Sequence, residues 1–250
     1  MASDERDDGS HRSAAPSVAE ALRGRQSHPA AITLTAVGCS DDATSPPAVV
    51  EIALAPASSG NGQSGEVNTA LGQNLRVLVT RNSLPAPDVT VQWAVPAGNG
   101  ALPGASTTNA DGIALAIWTM PTTIGDMSAT ASVSGAVGSP VTFTATAVAG
   151  PATSFEVLAG NNQVVAPNGT AGEPLTVILE DTYGNPVSGV AVGWSIISGF
   201  ATLSDPSVDT DATGRASVSV TAEATPGAVV IRAIPGVTLP GVDFNLTVTP

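Results

Sequence analysis

The sequence contains no lysine, and all eight of its basic residues are arginine. Aromatic residues make up only 3% of the 250 positions and charged residues 12%. Long amphipathic helices draw on leucine, glutamate, lysine and arginine, so a helical fold suits this composition poorly. Mean hydropathy is positive at +0.24, yet no stretch reaches the roughly 18 uninterrupted apolar residues that a spanning helix needs. Histidine occurs only as His11 and His28, both in a polar leader, so the rest of the chain lacks the commonest general base and metal ligand. A single cysteine, Cys39, excludes an intrachain disulfide. No Cys-x-x-Cys pair, glycine-rich phosphate loop or His-Glu-x-x-His pattern occurs, and no serine beyond the leader has a histidine to activate it. These gaps argue against an enzyme, and no cofactor is expected.

What is present is valine, threonine and isoleucine in short runs, punctuated by 26 glycines and 20 prolines. That pattern describes short β-strands joined by tight turns. The net charge of −13 is uneven, because only four arginines stand against sixteen acidic residues after residue 38. With no basic patch to meet phosphates, nucleic acid is a poor partner. Acidity of this kind serves solubility first.

Residues 1–28 are polar, mixed in charge and without apolar periodicity, and read as disorder. Arg23 and Arg25 then precede a short apolar stretch from Pro29 to Gly38 that ends at Cys39, which is the plan of an export signal. The run Ala36-Val37-Gly38-Cys39 resembles a bacterial lipoprotein signal, and Ser40 to Pro47 resembles the polar tether that follows such an anchor. That resemblance implies lipidation of Cys39 and a protein held at the outer membrane or cell surface by a lipid anchor alone. The match departs from the pattern at Ala36, where leucine is favoured, and at Thr33 and Thr35, which interrupt the apolar run. A plain disordered leader, with free secretion, is the alternative.

The remainder repeats. Leu75-Arg-Val77-Leu-Val79 aligns with Leu175-Thr-Val177-Ile-Leu179, and Val89 to Val95 aligns with Val190 to Ile196. Thr108 to Gly112 aligns with Thr210 to Gly214, and Phe143 with Phe244. The offset is 100 to 102 residues throughout, a signal of tandem modules. Within each copy the strands alternate with period two, so that Val89, Val91, Trp93 and Val95 share one face, as do Val190, Val192, Trp194 and Ile196. Two immunoglobulin-like β-sandwiches of about a hundred residues follow. The expected division is a leader, signal and tether over 1–47, a first module over 48–149 and a second over 150–250. The Val148 to Ala152 join is short, so the modules should stack end to end with limited bending, as a rod of roughly 80 Å. Trp93, Trp118 and Trp194 are read as core anchors.

The second copy carries a fuller signature. Glu180-Asp181-Thr-Tyr183-Gly184-Asn185-Pro186-Val187, and the later Thr210-Asp211-Ala-Thr-Gly214-Arg-Ala216, resemble the turns of bacterial immunoglobulin-like domains of group 1, the invasin and intimin type. The first copy keeps the later turn, with Asp111 and Gly112, but has Arg81 to Asp88 in place of the Gly-Asn-Pro turn. The resemblance covers roughly residues 48–250 and implies a non-enzymatic surface or exported protein, with stacked modules serving as spacer and adhesive scaffold. Its ligand would be a protein or glycan. A carbohydrate- or polymer-binding module is the alternative, and Tyr183 is the only exposed aromatic expected to serve it.

The turn residues have a folding explanation: Gly184 and Asn185 tolerate positive φ, Pro186 fixes the exit, and Asp181 accepts backbone N–H groups. Carboxylates gather at Asp205, Asp209 and Asp211, and at Glu180 with Asp181, but their spacing fits no calcium loop and no metal site is assigned. The strand after Gly112 is anomalous. If Ala114, Ala116 and Trp118 face inward, then Ile113, Leu115 and Ile117 face outward, where the second copy has Arg215, Ser217 and Ser219. Cover by a loop is the favoured expectation for this row. A partner or self-association surface is the other.

Overall fold

The computed structural model of the protein describes residues 47–250, and the elements among them are strands without helices. No helix there is long and apolar enough to cross a membrane. The first sandwich is built from β1 (Val50–Leu54), β2 (Gln63–Glu66), β3 (Leu75–Arg81), β4 (Leu84–Pro85), β5 (Thr90–Ala94), β6 (Ala105–Thr107), β7 (Ile113–Ala116), β8 (Gly125–Ser132) and β9 (Val141–Val148). The second uses β10 (Ala152–Ala159), β11 (Gln163–Val165), β12 (Leu175–Asp181), β13 (Ala191–Ser198), β14 (Ala201–Leu203), β15 (Ser207–Asp209), β16 (Arg215–Val218), β17 (Val220–Ala222), β18 (Gly227–Pro235) and β19 (Val242–Val248).

The two topologies correspond. In the first, β1, β3 and β7 form one sheet, with β4 a hairpin continuation of β3, and β2-β9-β8-β5-β6 form the other. In the second, β10-β12-β16 faces β11-β19-β18-β13-β15, and β14 pairs with β17. The ladders are antiparallel except β2 with β9 and β11 with β19, where the opening strand crosses to the second sheet. Alternation sets which face is buried. On β9, Val141, Phe143, Ala145 and Ala147 are buried while Thr142, Thr144 and Thr146 face solvent.

Each copy has its own core. The first spans Ile52 to Ala147 and the second Phe155 to Val248. Trp93 lies against Phe143 with ring centroids 5.9 Å apart, and Trp194 against Phe244 at 5.6 Å, both tilted pairs. Trp118 adds a third large ring to the first core, and its Nε1–H donates to the Asn99 carbonyl at 2.9 Å. Polar supports repeat too. Gln63 Nε2 donates to the Gly60 and Gln73 carbonyls, as Gln163 does to those of Gly160 and Glu173. The buried hydroxyls of Thr108 and Thr210 each accept the N–H of the residue that precedes a strand, Val89 or Val190, and donate to a carbonyl.

One support is not repeated. Trp93 Nε1–H donates to Ser106 Oγ at 2.8 Å, whereas Trp194 Nε1 is buried without a partner. The ladder explains why: Ser106 stands opposite Val91, and Val208 takes that place opposite Val192. Leaving a buried donor unpaired costs about 1–3 kcal/mol. Ser106→Ala should therefore lower the stability of the first module by about 1–2 kcal/mol, read from urea unfolding followed by Trp fluorescence.

Candidate functional site

The turn between β12 and β13 is where the sequence signature and the join between modules meet. Gly184 takes φ +78° and its N–H donates to the Asp181 carbonyl at 3.1 Å, closing the turn. Asn185 is not among the positive-φ residues, which corrects the reading that it serves backbone conformation there. It is buried, and its side chain makes contacts across the join instead. Nδ2 donates to the Thr122 carbonyl at 2.9 Å, and Oδ1 accepts the Ile124 N–H at 3.3 Å, both in the first sandwich.

Asp181 organises this turn. Only 4% exposed, it accepts the N–H groups of Tyr183 and Asn185 on Oδ1, at 2.8 and 2.9 Å. Its Oδ2 accepts Asn185 Nδ2 at 2.9 Å and the Gly150 N–H of the linker at 3.1 Å. Burial alone would raise its pKa. The side chain and N–H of Asn185, with the N–H groups of Gly150 and Tyr183, outweigh burial and hold the carboxyl below its ordinary value of 3.8. A third contact joins the copies where Asn68 Nδ2 donates to the Tyr183 hydroxyl at 2.7 Å. Nothing in the sequence pointed to Asn68, Thr122 or Ile124, because two of these three act through backbone atoms and pairings 61 to 115 residues apart leave no local pattern.

The first copy uses its own turn differently. Asn82 and Ser83 take φ +50° and +64°, which makes a two-residue hairpin between β3 and β4. Asn82 exchanges hydrogen bonds with Val49, its Oδ1 accepting the Val49 N–H at 2.9 Å. In the later turns the organising side chains are Asn109 and Asp211. Each carboxyl or amide oxygen accepts two N–H groups, those of Asp111 and Ile113 in one copy and of Thr213 and Arg215 in the other. Asp111 itself is exposed. Gly112 and Gly214 both take φ +71°, and a Cβ on Gly214 would lie 2.6 Å from the Leu179 carbonyl oxygen, so only glycine fits there.

The outward row on β7 is not covered. Ala114, Ala116 and Trp118 are buried, while Leu115 is 46% and Ile117 56% exposed, with Ile113 half-buried. The expected loop cover is therefore corrected: the flanking loops leave this face open. A second correction concerns aromatics, since Phe200 is 59% exposed and joins Tyr183 at the surface. No group of three or more candidate metal ligands comes together among the described residues. Cys39 and the leader lie outside the described residues.

Residues 155–241 match the family model described as bacterial Ig-like domain (group 1). No curated protein matches the chain. Among solved structures, the Escherichia coli adhesin FdeC aligns with a TM-score of 0.51 at 16% identity, over 80% of this chain and 62% of that one. Yersinia pseudotuberculosis InvD aligns with a TM-score of 0.51 at 20% identity, over 81% and 57%. At these identities the likeness is one of fold.

Asp181 also sets a pH dependence. Because its folded pKa lies below the unfolded value, it contributes stability at neutral pH that is lost as pH falls through the folded pKa, below 3.8. Chemical denaturation across this range should show a drop in second-module stability that Asp181→Asn makes shallower. The substitution should also lower stability at neutral pH, by about 1–3 kcal/mol.

Proposed function

We propose that the chain, whose second module is a bacterial Ig-like domain of group 1, is a non-enzymatic surface or exported protein in which tandem sandwiches act as spacer and binding scaffold. The observation that carries this reading is the clamp at the join. One turn ties the second module to the linker at Gly150 and to the first module at Asn68, Thr122 and Ile124. A spacer needs a fixed angle between its modules, and short-range hydrogen bonds from a buried turn supply one. The fold likeness to an Escherichia coli adhesin supports the same class of role. The absence of histidine beyond His28 removes the usual acid–base group from both sandwiches.

Display at the cell envelope, through a lipid on Cys39, completes the proposal. The ligand would be a protein or glycan, reached from the module surfaces. Wild-type chain expressed in a Gram-negative host should fractionate with membranes and be labelled by antibody on intact cells. Cys39→Ala should be released into the soluble fraction. Identical soluble behaviour of the two would rule out the anchor, and a membrane-bound chain that intact cells shield from antibody would rule out surface display.

A further inference from the structure

The sheet that holds β3 and β7 carries a shallow pocket of about 390 Å³ on its outer side. Arg76 lines it from β3, directly opposite Leu115 in the ladder, and Leu115 with Ile113 gives it an apolar wall. The rest of the lining is polar and uncharged, from Ser58, Gln73, Asn74 and Asn109. These polar side chains are uncommitted. Asn109 Oδ1 accepts the Asp111 and Ile113 N–H groups, which leaves its Nδ2 as the free end. Gln73 bonds Gln63 through its backbone alone, and no hydrogen bond among the described residues uses the Asn74 amide or the Ser58 hydroxyl. Arg76 is poorly matched by the fold. Its Nη1 reaches the Ala57 carbonyl only at 3.4 Å, its Nε is buried without a partner, and no described carboxylate forms a salt bridge with it. A buried donor without an acceptor weakens a fold, so folding does not account for this arginine.

The second module has the same framework with the opposite charge. Thr176 takes the place of Arg76, and its hydroxyl pairs at 2.9 Å with Ser217, which stands where the first module has Leu115. Glu173 replaces Gln73, each exchanging the same bonds with Gln163 or Gln63. Asp211 replaces Asn109 as the cap of the later turn, and Arg215 replaces Ile113 in the ladder. Where the second module has an acid, the first thus has the matching amide, twice. Two carboxylates and one arginine leave the second site negative, whereas Arg76 alone makes the first site positive. In a chain of net charge −13, that local reversal at nearly unchanged side-chain shape is what an anion site requires.

We infer that this pocket binds the terminal residue of an acidic glycan, a carboxylated hexose whose carboxylate is held by Arg76. One guanidinium matches one negative charge, and the acidic surface around it repels polyanions. Because Nε is buried, the two Nη groups are the ones that a carboxylate can meet. Ser58, Gln73, Asn74 and Asn109 offer donors and acceptors to ring hydroxyls. Leu115 and Ile113 offer an apolar wall to the C–H face of the ring, the mixture of surfaces that small-ligand pockets use. A peptide carboxylate would engage Arg76 and leave most of the uncharged polar lining idle. The site rests on the reading of the modules as a binding scaffold and gives that scaffold a class of ligand.

Titration of the isotope-labelled full chain with methyl β-D-glucuronide, followed by backbone amide shifts, reads binding, its location and the folded state together. Wild type should show saturable shifts around Arg76, Asn109 and Leu115, with a dissociation constant on the order of 1–10 mM. The neutral methyl β-D-glucoside should bind at least about tenfold more weakly. Arg76→Gln should weaken glucuronide binding about tenfold or more, and Arg76→Lys should recover only part of that loss, because an ammonium lacks the guanidinium fork. Gln73→Glu combined with Asn109→Asp installs the second module's acids and should weaken binding about as much with the arginine intact. Arg232→Gln on the second module should change nothing. No saturable shift up to about 50 mM, equal binding of the glucoside, wild-type affinity in a folded Arg76→Gln or double acid variant, or tighter binding of N-acetyl-aspartyl-glycinamide would each overturn the assignment. The titration involves no membrane, so a negative result removes the site and leaves anchoring and display to the fractionation described above.

Discussion

A carboxylate taken out of water must find donors to replace it, and Asp181 finds four: the N–H groups of Tyr183, Asn185 and Gly150, and the amide of Asn185. Between them the donors fix three parts of the molecule. The Tyr183 and Asn185 N–H groups set the turn, the Gly150 N–H sets the linker, and the Asn185 amide is held so that it reaches Thr122 of the first sandwich. The turn, the linker and the Asn185 amide thus share one acceptor group. The contacts between the modules therefore gather on one buried turn, which Asp181 organises and in which Asn185 and Tyr183 make the bonds to the first sandwich.

The two copies have divided this work unequally. The second carries the clamp and pairs β14 with β17, with Ser204 Oγ accepting the Ser219 N–H beside them. The first carries a compact hairpin at Asn82 and Ser83 and leaves Leu115 and Ile117 open. Its strand-β5 indole is the better satisfied, because Trp93 has Ser106 while Trp194 has no acceptor. Copies related by sequence have thus kept one framework and diverged in the groups that face outward or toward each other.

Much of this framework was legible in the sequence because period-two alternation is local. Val91, Trp93, Val192 and Trp194 lie in the core where alternation places them, and the collinear match of the copies gave the order of strands. What alternation could not reach was the use of a side chain after the turn had formed. Asn185 looked like a residue chosen for positive φ, yet it bonds partners about sixty residues away. Cover over β7 depended on the path of the flanking loops, which leaves Leu115 and Ile117 exposed and has no periodic signal. Phe200 follows Gly199, outside any alternating run, and its exposure had no periodic signal. The Asn109 and Asp211 caps were masked by the more conspicuous Gly112 and Gly214 beside them.

The clamp makes a specific claim about the solution state, that the two sandwiches are held at one relative orientation. Residual dipolar couplings measured on the chain in a weakly aligning medium report orientation for each module separately. Couplings from both modules should fit one shared alignment tensor in the wild type, and Asp181→Ala should make two tensors of different magnitude necessary. Wild-type couplings that already require two independent tensors would contradict it.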